Sequence, residues 1–129
     1  MNFETMRLER EGRFGRLTLN RPRLLNAMNY QGALDLNHAA ETIRDDSELR
    51  LVLIRGAGRA FCAGADLSRG AESFVAPGSD ALTGPDGKVD YASEAIREVG
   101  GKLAIVLYNL RKPVIAAING AAAGLGASM

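Results

Sequence analysis

Cysteine and histidine occur once each in 129 residues. Cys62 alone cannot close an intramolecular disulfide, which suits a reducing compartment. With a single His beside it there is no chelating cluster, so a metal site is not expected. As a nucleophile Cys62 needs an activating base that no motif supplies, and it reads as a small packing residue in a loop. His38 stands inside a helical pattern without a Ser or Asp partner placed by motif, so it reads as a surface or packing residue. Charge of one sign is equally scarce: 16 Lys and Arg against 15 Asp and Glu leave a net +1, too little for a general nucleic-acid footprint. No apolar run approaches membrane-spanning length and Met1 to Thr5 has no apolar signal core, so a soluble cytoplasmic protein is the expectation. Nucleotide-phosphate motifs fail on spacing. No Walker lysine pattern occurs, and after Gly56-Ala57-Gly58 the third glycine position of a dinucleotide fingerprint is taken by Phe61.

What is present is a chain the size of one domain, with 47% hydrophobic residues to supply a core. Phe3 to Glu9 and Phe14 to Asn20 read as a hairpin around Glu11-Gly12-Arg13, broken by Asn20-Arg21-Pro22. From Tyr30 to Arg44, Ala33, Leu36, Ala40 and Ile43 recur at helical spacing, and Asp45-Asp46-Ser47 ends that element. Leu49 to Arg55 reads as a buried strand, and Val114 to Ile118 as another. Between Asp66 and Lys112 lie 45 residues. Ala76 to Asp80 and Thr83 to Gly87 are rich in turn residues, so residues 70–90 read as a flexible insertion, open equally to a lid or a solvated surface loop. Beyond it Tyr91, Ala95, Val99, Leu103, Val106 and Leu110 form a helical stripe despite Gly100-Gly101.

Two glycine-bearing segments follow the two later strands: Phe61-Cys62-Ala63-Gly64-Ala65-Asp66-Leu67 and Asn119-Gly120-Ala121-Ala122-Ala123-Gly124-Leu125-Gly126. Either alone is ordinary turn chemistry. Together, two such loops can aim main-chain N–H groups at one point. With Asn20-Arg21-Pro22-Arg23-Leu24-Leu25-Asn26-Ala27-Met28 in front of them, in this order, the chain resembles the crotonase family of enoyl-CoA hydratases and isomerases. The resemblance runs from about residue 3 to the last residue, apart from an atypical stretch near 68–100.

The resemblance implies an α/β fold, a crotonase-like spiral of ββα units. It implies an acyl-CoA thioester as substrate, coenzyme A being part of that substrate rather than a separate cofactor. A homotrimer or dimer of trimers is implied, with neither nucleic acid nor membrane as partner. When the α-carbon of a thioester loses a proton, or a nucleophile adds at the β-carbon, the carbonyl becomes an oxyanion. Each preorganised donor to such an oxygen is worth about 2.7–4 kcal/mol in the transition state. By resemblance the donors are the N–H groups of Ala65 and Leu125, the second at the start of a presumed helix whose N-terminus favours negative charge. Leu125 stands where many relatives carry Gly; it keeps the N–H and adds bulk beside the acyl group. Arg23 and Arg59 resemble the family's basic CoA-contacting positions, and Arg suits phosphate through its planar head. Leu24, Leu25, Ala63, Ala65, Asp66, Leu67 and Ser68 would line the same nucleotide and pantetheine path.

Ser128 is the departure. Hydratases of this family place their first catalytic glutamate there, and a hydroxyl without an activating group is no base near neutral pH. No Asp or Glu follows Glu98, and the family's second acidic position would lie beyond Met129. Gly124 to Met129 resembles the first turn of a helix, so the chain is read as the N-terminal portion of the core, ending before the C-terminal helices. By itself it is expected to be inactive. Isomerisation of an enoyl-CoA fits a missing first glutamate, because one later acid can shuttle the proton. Hydration stays open, with Glu72, Asp90 and Glu94 as alternative acids. So does a non-catalytic acyl-CoA-binding relative.

Overall fold

Met6–Glu11 (β1) and Phe14–Leu19 (β2) pair antiparallel, from Met6 opposite Leu19 to Glu11 opposite Phe14. Gly12 closes the turn at φ +58°, open to glycine without a Cβ penalty. The computed structural model describes residues 1–70, 73 and 99–129. Nearly all of the expected insertion at 70–90, the start of the helical stripe at Tyr91 and Ala95, and the acids Glu72, Asp90, Glu94 and Glu98 lie outside the described residues. β1 starts later than the expected Phe3, because the first residues fold back along it. The Phe3 N–H donates to Met6 O at 2.9 Å and the Leu8 N–H to Met1 O at 2.9 Å.

β2 pairs parallel with Leu51–Gly56 (β3), from Phe14 opposite Leu51 to Leu19 opposite Gly56. On the other side of β3, Val114–Ala117 (β5) pairs parallel, from Val52 opposite Val114 to Arg55 opposite Ala117. The sheet order β1-β2-β3-β5 puts Leu17, Val52 and Ile54 in the core, the first two fully buried and Ile54 nearly so. β5 forms the edge among the described residues, and Ile115 and Ile118 are exposed there.

Tyr30–Asp45 (α1) covers this sheet. Asn29 caps it, its side chain accepting from the Gly32 N–H at 2.8 Å, which satisfies one of the orphan donors of the first turn. The expected stripe of Ala33, Leu36, Ala40 and Ile43 is buried, with Ala39 beside it. Fully burying a Leu or Ile is worth about 1.5–3 kcal/mol, so this face holds the helix on the sheet. At the other end Lys112 reaches back from the sequence before β5, its Nζ donating to Ile43 O and, at 2.5 Å, to Asp46 O. A cation there complements the helix C-terminus. Val99–Tyr108 (α2) packs on α1, burying Leu103 and Leu107, and Leu110 follows it into the core. The expected stripe named Val106 at this level; Val106 is half-buried and Leu107 takes the inner position.

A second, smaller sheet carries the two glycine-bearing segments. Ala60–Cys62 (β4) pairs parallel with Ala121–Ala122 (β6), Ala60 opposite Ala121 and Cys62 opposite Ala122. An isolated parallel bridge joins Met28 to Ala65 in the same way. The sequence reads Phe61-Cys62 and Ala121-Ala122 as loop; they are strands too short to carry a periodic signal. Cys62 is thus a packing residue of β4, fully buried, and burial pushes its thiol up. Each pass of the chain contributes a strand to the main sheet, a short extended piece to the second, and a helix. The passes are β2, Met28 and α1; then β3, β4 and α2; then β5, β6 and Leu125–Ser128 (α3). This is a spiral of ββα units. Its repeat is invisible in sequence because each pass uses different residues.

Candidate functional site

The first loop leaves β4 and is tied down on one side only. Ala63 N–H donates to Leu25 O at 3.0 Å, Met28 N–H to Gly64 O at 2.8 Å, and Asp66 N–H to Met28 O at 2.8 Å. In a parallel bridge the two residues flanking the paired one supply the bonds, so the N–H and C=O of Ala65 point the opposite way. Among the described residues no hydrogen bond is donated by Ala65 N–H. Gly64 takes φ +99°, and a Cβ there would lie 2.9 Å from Ala123 O, so only glycine lets the chain turn at this spot.

The second loop leaves β6 beside it. Ala123 N–H donates to Cys62 O at 3.0 Å, and the Gly64 Cα lies 3.9 Å from where a Gly124 Cβ would be. The two glycine turns therefore touch. Gly126 packs on the β4 backbone so closely that a Cβ would stand 2.2 Å from Cys62 O. α3 starts at Leu125; Gly126 and Ala127 donate back to Ala123 O and Gly124 O, while among the described residues Leu125 N–H donates to nothing. Sequence reasoning named these two N–H groups, and both are unpaired on adjoining turns.

The residues expected along a nucleotide path fall on two turns in contact, which carry Arg23, Leu24, Leu25 and Arg59, and on the segment after β4, which carries Ala63 to Ser68. Pro22–Leu24 is a single 3-10 turn, followed by Leu25 and Asn26 in left-handed conformation at φ +51° and +58°. Arg23 and Leu24 are exposed on it and Leu25 is half-buried. Arg59 is exposed on the turn between β3 and β4, and a Cβ at Gly58 would sit 3.0 Å from Pro22 Cβ, so this turn packs on the first. Among the described residues neither Arg23 nor Arg59 has an ion-pair partner. Leu67 and Ser68 are exposed beyond Ala65. The side chain of Asp66 turns inward instead. Arg21 Nη2 lies 2.7 Å from Asp66 Oδ2 while Arg21 Nη1 donates to Ala27 O at 2.5 Å, and Ser68 N–H donates to Asp66 Oδ1 at 3.0 Å. Hydrogen bonding from Ser68 foremost, and the Arg21 guanidinium, hold the Asp66 carboxyl below the usual carboxylate range against the opposing effect of burial.

Three residues that the sequence leaves inside a motif hold this corner together. Arg21 is one, and Asn26 and Asn119 are the others. Their amides bond the turn at Gly56 to Ala60. The signal was faint: a buried Asn at positive φ follows a Pro-Arg-Leu-Leu turn, and nothing but packing marks it.

Beyond α3 an apolar cavity of about 510 Å³ opens between α2, β3 and β5, lined by Ile54, Phe61, Leu107, Tyr108, Val114 and Ser128 among others. Ser128 Oγ donates to Leu125 O at 2.9 Å, so one side of the hydroxyl is spent on the helix turn. Among the described residues no Asp or Glu lines this cavity, and neither Ala65 nor Leu125 is part of its wall. Among the described residues no three His, Cys, Asp or Glu gather as metal ligands, and no helix is long and apolar enough to cross a membrane.

The family model for enoyl-CoA hydratase/isomerase matches residues 14–129. The chain belongs to that family. It is 38% identical, over all of its length, to a Mycobacterium tuberculosis protein named a probable enoyl-CoA hydratase, and spans 44% of that protein. A 1,2-epoxyphenylacetyl-CoA isomerase of Escherichia coli is 36% identical over 113 residues, covering 88% of this chain and 39% of the relative. Among solved structures, an enoyl-CoA hydratase/isomerase from Marinobacter aquaeolei superposes with a TM-score of 0.74 at 33% identity, covering 97% of this chain and 45% of that one. The ββα spiral is thus the crotonase fold, and the chain accounts for less than half of the length of these relatives.

Proposed function

We propose that the protein carrying this chain binds acyl-CoA thioesters and stabilises the thioester enolate between the N–H groups of Ala65 and Leu125. One observation carries this reading: both N–H groups are unpaired among the described residues and project from glycine turns that touch. An oxyanion gains from donors already in place, since they need no reorganisation as charge develops. Arg23 and Arg59, without an ion-pair partner among the described residues and carried on two packed turns, are cations available to the phosphates of coenzyme A, with Leu24, Leu25, Ala63, Leu67 and Ser68 on the way to the thioester. The Asp66 side chain is withdrawn from this path, because its carboxylate is committed to Arg21.

The reaction we favour is migration of the double bond of an enoyl-CoA. Ser128 supplies no basic group, and a single acid elsewhere in the protein can take the proton from one carbon and return it to another. Hydration is the second reading, favoured by the name of the mycobacterial relative. It requires an acid to hold the water and another to deliver the proton. A non-catalytic acyl-CoA-binding role is the third.

The test is to supply the purified protein with a 3-enoyl-CoA and, separately, with trans-2-enoyl-CoA and water, following the conjugated thioester absorbance. A rise with the first substrate and little change with the second is expected. Fast loss of absorbance with the second would install hydration instead. Binding of butyryl-CoA without turnover of either substrate would leave only the binding role.

A further inference from the structure

Asn26 and Asn119 reach one carbonyl from two different segments. Asn26 Nδ2 donates to Ala60 O at 2.9 Å and to Ala57 O at 2.8 Å; Asn119 Nδ2 donates to Ala60 O at 3.3 Å and to Gly58 O at 2.9 Å. Each Oδ1 accepts a main-chain N–H, Asn26 from Arg21 at 2.9 Å and Asn119 from Gly56 at 3.0 Å. Each amide thus works as donor and acceptor at once, a pattern neither an acid nor an aliphatic side chain can copy. Asn26 is 2% exposed and holds φ +58°, a conformation that Asn tolerates better than most residues. The backbone around this joint has no slack: a Cβ at Gly56 would lie 2.1 Å from Ala60 O, and one at Gly120 would lie 2.0 Å from Arg59 O.

The position of this joint matters more than its strength. Ala60 begins β4, which runs directly into the turn that carries Ala65, and Asn119 immediately precedes the segment that carries Leu125. We propose that Asn26 and Asn119 are positioning residues, an amide clamp on Ala60 O that keeps the two turns in register and so sets the spacing between the N–H groups of Ala65 and Leu125. The proposal rests on the enolate-stabilising reading above. Two donors act on one oxygen only when both lie within about 2.7–3.1 Å of it, so a small slip of one turn past the other removes one of them. A misplacement of about 1 Å costs on the order of 10²-fold in rate. Neither amide touches reacting atoms in this scheme.

Asn119 is exposed, which makes it the better place for the test. Asn119→Asp keeps the shape and the acceptor for Gly56 N–H, but turns a carboxylate oxygen toward two carbonyl oxygens. Asn119→Ala withdraws the donor without adding charge, and decides the matter should the Asp variant fail to fold. The probes are acetoacetyl-CoA, whose acidic α-carbon yields an enolate with its own ultraviolet band, and butyryl-CoA, which binds as a neutral thioester. The unmodified protein is expected to raise the enolate fraction of acetoacetyl-CoA. The variants should weaken that stabilisation by about 10–100-fold while the Kd for butyryl-CoA moves by less than about threefold. An undiminished enolate band, or equal weakening for both thioesters, overturns the clamp and leaves the oxyanion reading standing. No enolate with the unmodified protein, or none lost on Ala65→Pro, overturns the oxyanion reading and the clamp with it.

Discussion

Arg21 and Asp66 form a 2.7 Å ion pair at the foot of the first glycine turn, with side chains 19% and 7% exposed. Through it the segment ending at Met28 and the turn carrying Ala65 are joined by charge as well as by backbone. Removing one member leaves the other buried and unpaired, which costs roughly 3–5 kcal/mol for an enclosed pair and less where one partner still reaches water. Arg21→Gln is therefore expected to cost about 2–3 kcal/mol in urea unfolding, and Arg23→Gln, on the exposed turn two residues later, less than about 0.5 kcal/mol. Equal losses would show that the pair contributes no more than a surface cation.

Acid stability should follow Asp35. Burial raises its carboxyl, but hydrogen bonds from Thr5 Oγ1 and Thr5 N–H, both at 2.7 Å, and from Gln31 at 2.8 Å outweigh it and hold the carboxyl below its ordinary value. A group with a lowered folded-state pKa stabilises the fold at all pH above its unfolded value, near 3.9, and that stability disappears as pH falls through the folded value. The melting temperature is thus expected to be flat on this account above about pH 5 and to drop steeply below about pH 4. Asp35→Asn should lower Tm at pH 7 and shallow the acid limb. A variant with an acid limb parallel to that of the unmodified protein would assign the limb to other carboxylates.

Helix α1 was legible because its apolar positions repeat over about three turns, and the strands β2, β3 and β5 because each is an apolar run between turn residues. The second sheet was not. β4 and β6 are three and two residues long, and they exist because tertiary contact at Gly56, Gly120 and Gly126 brings backbones together. The proposed donors, the N–H groups of Ala65 and Leu125, were reached through a resemblance of motifs, and the structure adds why these turns carry glycine at 64 and 126. The supports, Arg21, Asn26, Asn119 and Lys112, act across 31 to 69 residues of sequence, and no local pattern encodes such partners.

Gly64 separates conformational strain from steric exclusion. Ala at Gly12 must hold φ +58° with open space around it, which costs about 1–2 kcal/mol. Ala at Gly64 must hold φ +99° and also displace Ala123 O from 2.9 Å, so the expected cost is about 2–4 kcal/mol. Because the displaced carbonyl belongs to the second turn, Gly64→Ala should also impair enolate stabilisation at temperatures where the variant is folded. Gly12→Ala should not. Thermal unfolding and the acetoacetyl-CoA enolate band, measured on both variants, check the pair of outcomes.

Position 128 offers a test between the two proposed proton chemistries. Its hydroxyl is exposed, lines the apolar cavity and donates to Leu125 O, one turn from the proposed N–H donor, so a longer side chain at 128 can extend into open space without disturbing the core. Ser128→Glu in the protein carrying this chain is expected to raise the addition of water to crotonyl-CoA by about 10²–10⁴-fold, the range a positioned acid or base contributes. Ser128→Gln matches the glutamate in size and shape but cannot hold a proton for transfer, and it should give no gain. Loss of the conjugated thioester absorbance reads both. A gain shared by Gln would assign the effect to packing around the acyl group. No gain with Glu, in a variant that still binds butyryl-CoA, would mean that position 128 does not face the β-carbon, and the proposed orientation of the thioester between Ala65 and Leu125 would have to be reversed.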